Sequence, residues 1–252
     1  MFNLLRLVFA TLVLCLITLS ESRADLEVFL PFEGNALDVS GNGNDGTVSG
    51  AALTANGFEG SAFSFDGVDD FIEVMFDINP ATLPQLTIGA WVNPESLRQQ
   101  SIVTNDNGGF DRGLFIDARG TGANFRYSSF LGNGVESVGP DPVLRDQFAF
   151  VAARYDQPNG TVVIDVDADR QSFVTSFGAG VPFFQIGQNP GGSNENFDGV
   201  IDNFFLFDEL LSDQRIDEIR AGGANAILGV PEPNSALICL SSALFFLVRR
   251  RR

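Results

Sequence analysis

Thr161-Val162-Val163-Ile164-Asp165-Val166-Asp167 alternates: Val162, Ile164 and Val166 fall on one face, Val163, Asp165 and Asp167 on the other. A period of two marks a half-buried β-strand. Gln157-Pro158-Asn159-Gly160, just before it, has turn composition. The same texture continues in both directions. Ala62 to Phe65 and Phe71 to Val74 read as short strands around Asp66-Gly67-Val68-Asp69-Asp70, and Leu86 to Val92, Gly113 to Ile116 and Phe148 to Tyr155 read as buried strands. The chain has 25 phenylalanines, a residue that favours strands. Many short strands separated by Gly, Asn, Asp and Pro predict an all-β fold, a two-sheet antiparallel sandwich of the jelly-roll type.

One helix interrupts this texture. Ser212 is a good N-cap, Asp213 lies in the first turn, Ile216 and Ile219 are spaced for one face, and Gly222 is placed to end it. The domain is therefore read as residues 25–221, with a linker over 222–229.

The two ends carry an address. Arg6, an apolar run from Leu7 to Leu19, and Ser22-Arg23-Ala24 have the order of a secretion signal over residues 1–24, cleaved after Ala24. An uncleaved N-terminal anchor is the alternative, but the apolar core is short of the roughly 20 residues a bilayer needs. Residues 230–252 hold Pro231-Glu232-Pro233, a short apolar run and four closing arginines. This order resembles the PEP-CTERM sorting signal of bacterial exported proteins. The resemblance implies an exosortase-type processing enzyme as partner, with cleavage near Pro231, Glu232 and Pro233. The basic end would stay on the cytoplasmic side, so contact with a membrane is expected only through this tail. A plain single-pass anchor is the alternative. The expected location is the cell surface or the extracellular space.

Between these ends the chain is acidic. The whole sequence has 32 acidic and 15 basic residues; two of the former and six of the latter lie in the end segments, which leaves 30 against 9 and a net charge of −21. Such a surface repels nucleic acid. Both cysteines, Cys15 and Cys239, fall in the end segments, and the chain has no histidine. Disulfides, thiolate nucleophiles, Ser-His-Asp catalysis and His- or Cys-ligated zinc are thereby excluded from the domain. Carboxylates, amides, hydroxyls and arginine remain. They suit calcium, which takes oxygen ligands, and glycoside hydrolysis by paired carboxylates.

Three segments, in order, resemble the laminin-G-like jelly rolls of the concanavalin A-like superfamily. They are Leu37-Asp38-Val39-Ser40-Gly41-Asn42-Gly43-Asn44-Asp45-Gly46-Thr47; Phe65 to Val74 followed by Leu86-Thr87-Ile88-Gly89-Ala90-Trp91-Val92-Asn93-Pro94; and Phe197-Asp198-Gly199-Val200-Ile201-Asp202-Asn203-Phe204-Phe205-Leu206-Phe207. Asn203 stands where an acidic residue is common, and Phe204-Phe205-Leu206-Phe207 replaces a more polar strand. The resemblance implies two stacked antiparallel sheets, glycan or protein binding, and in many members a calcium ion. The oxygen-rich Asp38–Asp45 loop and the lone carboxylate of Asp202 lead us to expect a structural calcium touching Asp38 and Asp202, with Asn42 as a further ligand. Ordinary Asx-turns are the alternative.

Glucanases of the same superfamily carry paired carboxylates on one strand. Asp165 and Asp167, with Asp169 beyond, are the matching candidates for catalysis, although Asp167-Ala168-Asp169-Arg170 also reads as a hairpin turn. Two glycine-rich polar loops, Asn105 to Gly109 and Asn189 to Asn194, are candidates for binding. Trp91 is expected in the core, and Arg126 and Tyr127 on a surface strand. The leading reading is a non-catalytic, exported module that binds polysaccharide or a cell-surface or matrix ligand. A glycan-active enzyme and a structural envelope protein without a discrete ligand are the alternatives.

Overall fold

A computed structural model describes residues 26–119, 124–132, 134–139, 142–192 and 194–229. The secretion signal with Ala24, and the tail with Pro231, Glu232 and Pro233, lie outside the described residues.

Two antiparallel sheets face each other. Sheet A runs in the order β13 (Asp169–Val174), β12 (Thr161–Val166), β11 (Ala149–Asp156), β6 (Gln85–Pro94), β15 (Asp198–Phe207), β4 (Ala62–Asp66), β3 (Ala52–Thr54), and β1 (Leu26–Leu30) also pairs with β15. Sheet B runs β10 (Val135–Val138), β9 (Arg126–Phe130), β8 (Gly113–Asp117), β7 (Gln100–Thr104), β14 (Phe184–Ile186), β5 (Phe71–Val74), β2 (Gly46–Ser49). This is the expected all-β sandwich.

The long apolar runs of sheet A follow from burial on both faces, which erases alternation of polarity. Leu86, Ile88, Ala90 and Val92 of β6 enter the core between the sheets, whereas Trp91 points the other way. Likewise Phe204 and Leu206 of β15 face inward while Phe205 and Phe207 face outward. The outward residues form a second apolar cluster with Phe29 and Phe150, closed by Leu211, Ile216, Ile219 and Ile227. Trp91 is therefore core, as expected. At Gly89 any side chain would collide with the Phe205 ring, 2.5 Å from where a Cβ would sit.

The last three of those closing residues belong to the helix α1 (Asp213–Ile227), which begins as read: the Ser212 hydroxyl accepts from the Arg215 N–H at 3.2 Å. It does not end at Gly222. Gly223 breaks it, with φ 57° and ψ −143°, and helical structure resumes to Ile227. The segment read as a linker is thus mostly docked helix. The Glu59 carboxylate accepts from the Ala224 N–H at 2.9 Å, satisfying a donor freed by the break. Among the described residues no helix is long and apolar enough to cross a membrane.

Candidate functional site

Sheet B carries no helix on its outer face among the described residues. Phe184 and Ile186 of β14 are fully buried in the core, so Gln185 between them points outward. It lies level with Glu73 on β5 and Thr104 on β7. Its Nε2 donates to Glu73 Oε2 at 3.0 Å. Its Oε1 is buried and has no hydrogen-bond partner among the described residues.

Two loops rise beside Gln185. One is Asp66–Asp70, with Val68 at its exposed tip. The other follows β14 and closes on itself, with the Phe197 N–H on the Gly187 carbonyl at 2.7 Å. Arg98 ties the two together, donating to the carbonyls of Gly67 at 2.6 Å and Asn196 at 3.1 Å. Asn196 Nδ2 adds a bond to the Val68 carbonyl. The loops enclose a cleft of about 290 Å³. Gln185, Gln188, Asn189, Asn194 and Asn196 give it an amide lining, and Phe183, Pro190 and Val68 supply apolar walls. Amides beside one aromatic face suit a polar, uncharged ligand.

The first glycine-rich loop supports the second rather than opening a site of its own. Asn189 Nδ2 donates to Asp106 Oδ2 at 3.1 Å and to Glu195 Oε2 at 2.9 Å. Asp106 also accepts from the Asp111 N–H at 3.1 Å. Burial, only partly offset by the Asn107 N–H, raises the Asp111 carboxyl above its usual range, and the charge of Asp106 adds to the rise. Arg119 bridges Glu195, at 2.8 Å, and Asp117.

The other candidate residues stand apart from the cleft. Asp165 is fully buried beneath the start of α1, where Arg154 Nε donates to it at 2.9 Å and Arg170 Nε at 2.7 Å. Arg154 also reaches Asp213 at 2.7 Å. The strand ends at Val166, and Asp167 occupies the hairpin turn with φ 49°. Its Oδ1 accepts from the Phe150 N–H at 3.0 Å. The pair is not the two-carboxylate arrangement that alternation suggested, because the turn takes Asp167 off the strand and two arginines hold Asp165.

Asp38 Oδ1 accepts from the N–H groups of Phe29 and Ser40, each at 2.9 Å. Its Oδ2 accepts from the Ser40 hydroxyl at 2.8 Å and the Asn44 N–H at 2.9 Å. Asn42 directs its Nδ2 at the Leu26 and Glu27 carbonyls. Asp202 is fully buried; Oδ2 accepts from the Glu59 N–H at 2.9 Å and Oδ1 from the Asn203 N–H at 2.7 Å. Burial pushes its carboxyl up to about 7 despite these bonds, and Glu33 adds to the rise. The oxygens of Asp38 and Asp202 thus face hydrogen-bond donors, and each carboxylate has its own set. These residues do not fit one shared calcium ion. Three carboxylates do converge elsewhere: Asp66, Asp69 and Asp70 have oxygens within 4.8 Å of one another.

Tyr127 corrects an expectation. It is 1 % exposed and joins the core between the sheets, so it offers no surface for stacking. Sequence reasoning passed over Gln185 and Phe183. The available signal was an amide set between Phe184 and Ile186, a polar residue on the alternate face of an apolar strand.

A family model described as the concanavalin A-like lectin/glucanases superfamily matches residues 66–217. No curated protein matches the chain in sequence. Among solved structures, domain 4 of AbnA, a GH43 extracellular arabinanase from Geobacillus stearothermophilus, in complex with arabinotriose, superposes with TM-score 0.59 at 19% identity, over 78% of this chain and 98% of that one. The binding domain of Paraclostridial Mosquitocidal Protein 1 gives 0.61 at 15% identity, over 78% and 52%. The botulinum neurotoxin serotype D binding domain gives 0.58 at 16%, over 79% and 52%. The chain spans about half the length of these last two.

Proposed function

We propose, for a chain that belongs to the concanavalin A-like lectin/glucanases superfamily, that it is an exported, non-catalytic binding module whose ligand is polysaccharide or a glycan-bearing surface. The observation that carries this reading is the contrast between the two outer faces: α1 seals that of sheet A, whereas sheet B bears an open, amide-lined cleft. The arabinotriose complex of a similarly folded domain supports a glycan as the class of ligand. The two ends of the sequence support export, and their order supports processing by an exosortase-type enzyme with display at, or release from, the cell surface.

Catalysis by Asp165 and Asp167 has less support, since Asp165 is held by two arginines and Asp167 by a backbone N–H. Calcium has no support from Asp38, Asn42 and Asp202, and binding in this reading does not depend on it. The test is a glycan array probed with the full chain, with and without chelator. Binding to a defined set of glycans in both conditions is expected. An array silent in both conditions overturns the reading and favours a structural envelope protein.

A further inference from the structure

We infer that the cleft on sheet B selects neutral, hydroxyl-rich glycans against anionic ones, with Gln185 Oε1 accepting a hydrogen bond from a sugar hydroxyl; this rests on the reading of the cleft as a glycan site. A glutamine amide has one acceptor oxygen and two N–H donors. An ionised carboxylate only accepts, so Glu73 Oε2 takes the Gln185 NH₂ at 3.0 Å and fixes which end of the amide faces away from it. The oxygen left over is buried, lacks a donor among the described residues, and belongs to a residue that lines the cleft and is 7 % exposed. A buried acceptor without a donor is unfavourable until a donor arrives.

Asn189 repeats the pattern. Its NH₂ lies between the carboxylates of Asp106 and Glu195, which directs its oxygen the other way, onto the Gly191 N–H at 2.8 Å. Gln188 commits its NH₂ to Asn196 Oδ1 at 3.1 Å. Three lining amides therefore each have at least one N–H engaged by the protein. A ligand that pairs with Gln185 Oε1 must bring a donor. Sugar hydroxyls do; a carboxylate or sulfate group brings acceptors only.

Charge acts in the same direction. Asp66, Asp69 and Asp70 converge on the loop that carries Val68, in a chain of net charge −17. An anionic polymer meets repulsion there. A bare cation would match the charge but leave the Phe183, Pro190 and Val68 walls without a partner. They suit the C–H faces of a sugar ring.

The test is affinity electrophoresis of the full chain through gels holding arabinan, mixed-linkage glucan or galactomannan, beside gels holding polygalacturonate or dextran sulfate. Retardation by at least one neutral polymer and by neither anionic one is expected. Gln185→Met, which keeps length and removes the acceptor, should weaken that retardation about three- to tenfold. Phe183→Ala is a second variant, at a half-buried position outside the core, and should weaken it as well. Preference for an anionic polymer, or neutral binding at full strength in both variants, overturns the inference and leaves the glycan reading standing. Retardation by no polymer of either kind overturns both.

Discussion

The outer faces of the two sheets are built from the same strand geometry and have opposite fates. On sheet A the outward residues are Phe29, Trp91, Phe150, Phe205 and Phe207, and they form one apolar cluster. Such a surface must be covered, and α1 covers it with Ile216, Ile219 and Ile227. On sheet B the outward rung through β5, β14 and β7 is Glu73, Gln185 and Thr104. It needs no apolar cover, so polar loops rise beside it and leave a cleft. The difference teaches that residue choice at alternate strand positions assigns one face to stability and leaves the other open for the recognition proposed for it. The faces should then respond differently to substitution.

The largest effect is expected at Trp91. Its ring stacks on Phe58 at 4.8 Å and meets Phe150 edge-on at 5.0 Å. Trp91→Ala should cost about 3–5 kcal/mol in urea unfolding and should loosen α1, read as lost amide protection in residues 213–227. A loss below about 1 kcal/mol would break the assignment of this face to stability.

Arg154→Met comes next. It leaves the buried Asp165, and Asp213 at the start of the helix, with Arg170 alone. Removing one partner of a buried pair costs about 3 kcal/mol. If Asp165 were instead a catalytic base, the variant would change a rate and leave stability nearly intact.

Much of this comparison was legible in the sequence. The strands were, because alternation and turn composition are local. So was the helix start, because Ser212 and Asp213 sit next to the turn they cap. The helix end was misread: Gly222-Gly223 looks like a stop, yet Gly223 only breaks the helix, and the burial of Ile227 depends on a sheet assembled from distant strands. Asp165 and Asp167 shared a face on paper; the hairpin turn that removes Asp167 also sets Arg170 opposite Asp165, whereas the grip of Arg154 depends on β11 pairing with β12. The cleft was least legible. Gln185 and Glu73 are 112 residues apart, and the orientation of the amide exists only once β14 lies beside β5.

A third prediction concerns pH. The Asp202 carboxyl titrates near 7 in the folded chain, against an ordinary value of 3.8. Below the lower value both folded and unfolded chains are protonated there; between the two values the folded chain alone holds the proton. Stability from this group therefore falls as pH rises through that window and levels off above about 7. The fall should amount to about 2 kcal/mol between pH 5 and 7, and Asp202→Asn should remove that part of the slope. Other carboxylates titrate in both proteins, so the comparison is of the slopes of the two proteins. An unchanged slope would sink the assignment.

The smallest effect on stability, and the sharpest contrast, is expected at Gln185. Gln185→Met gives up the bond to Glu73 and at the same time removes a buried oxygen that has no donor. The two changes oppose each other, so unfolding free energy should move by less than about 1 kcal/mol. Glycan binding should still weaken, because the acceptor meets a donor only when ligand arrives. Ligand should accordingly raise the melting temperature of the wild-type chain more than that of the variant, since binding to the native state alone stabilises it in proportion to affinity. If the variant were as destabilised as Trp91→Ala, Gln185 would belong to the scaffold, and the division between a face for stability and a face for recognition would fail at its central residue.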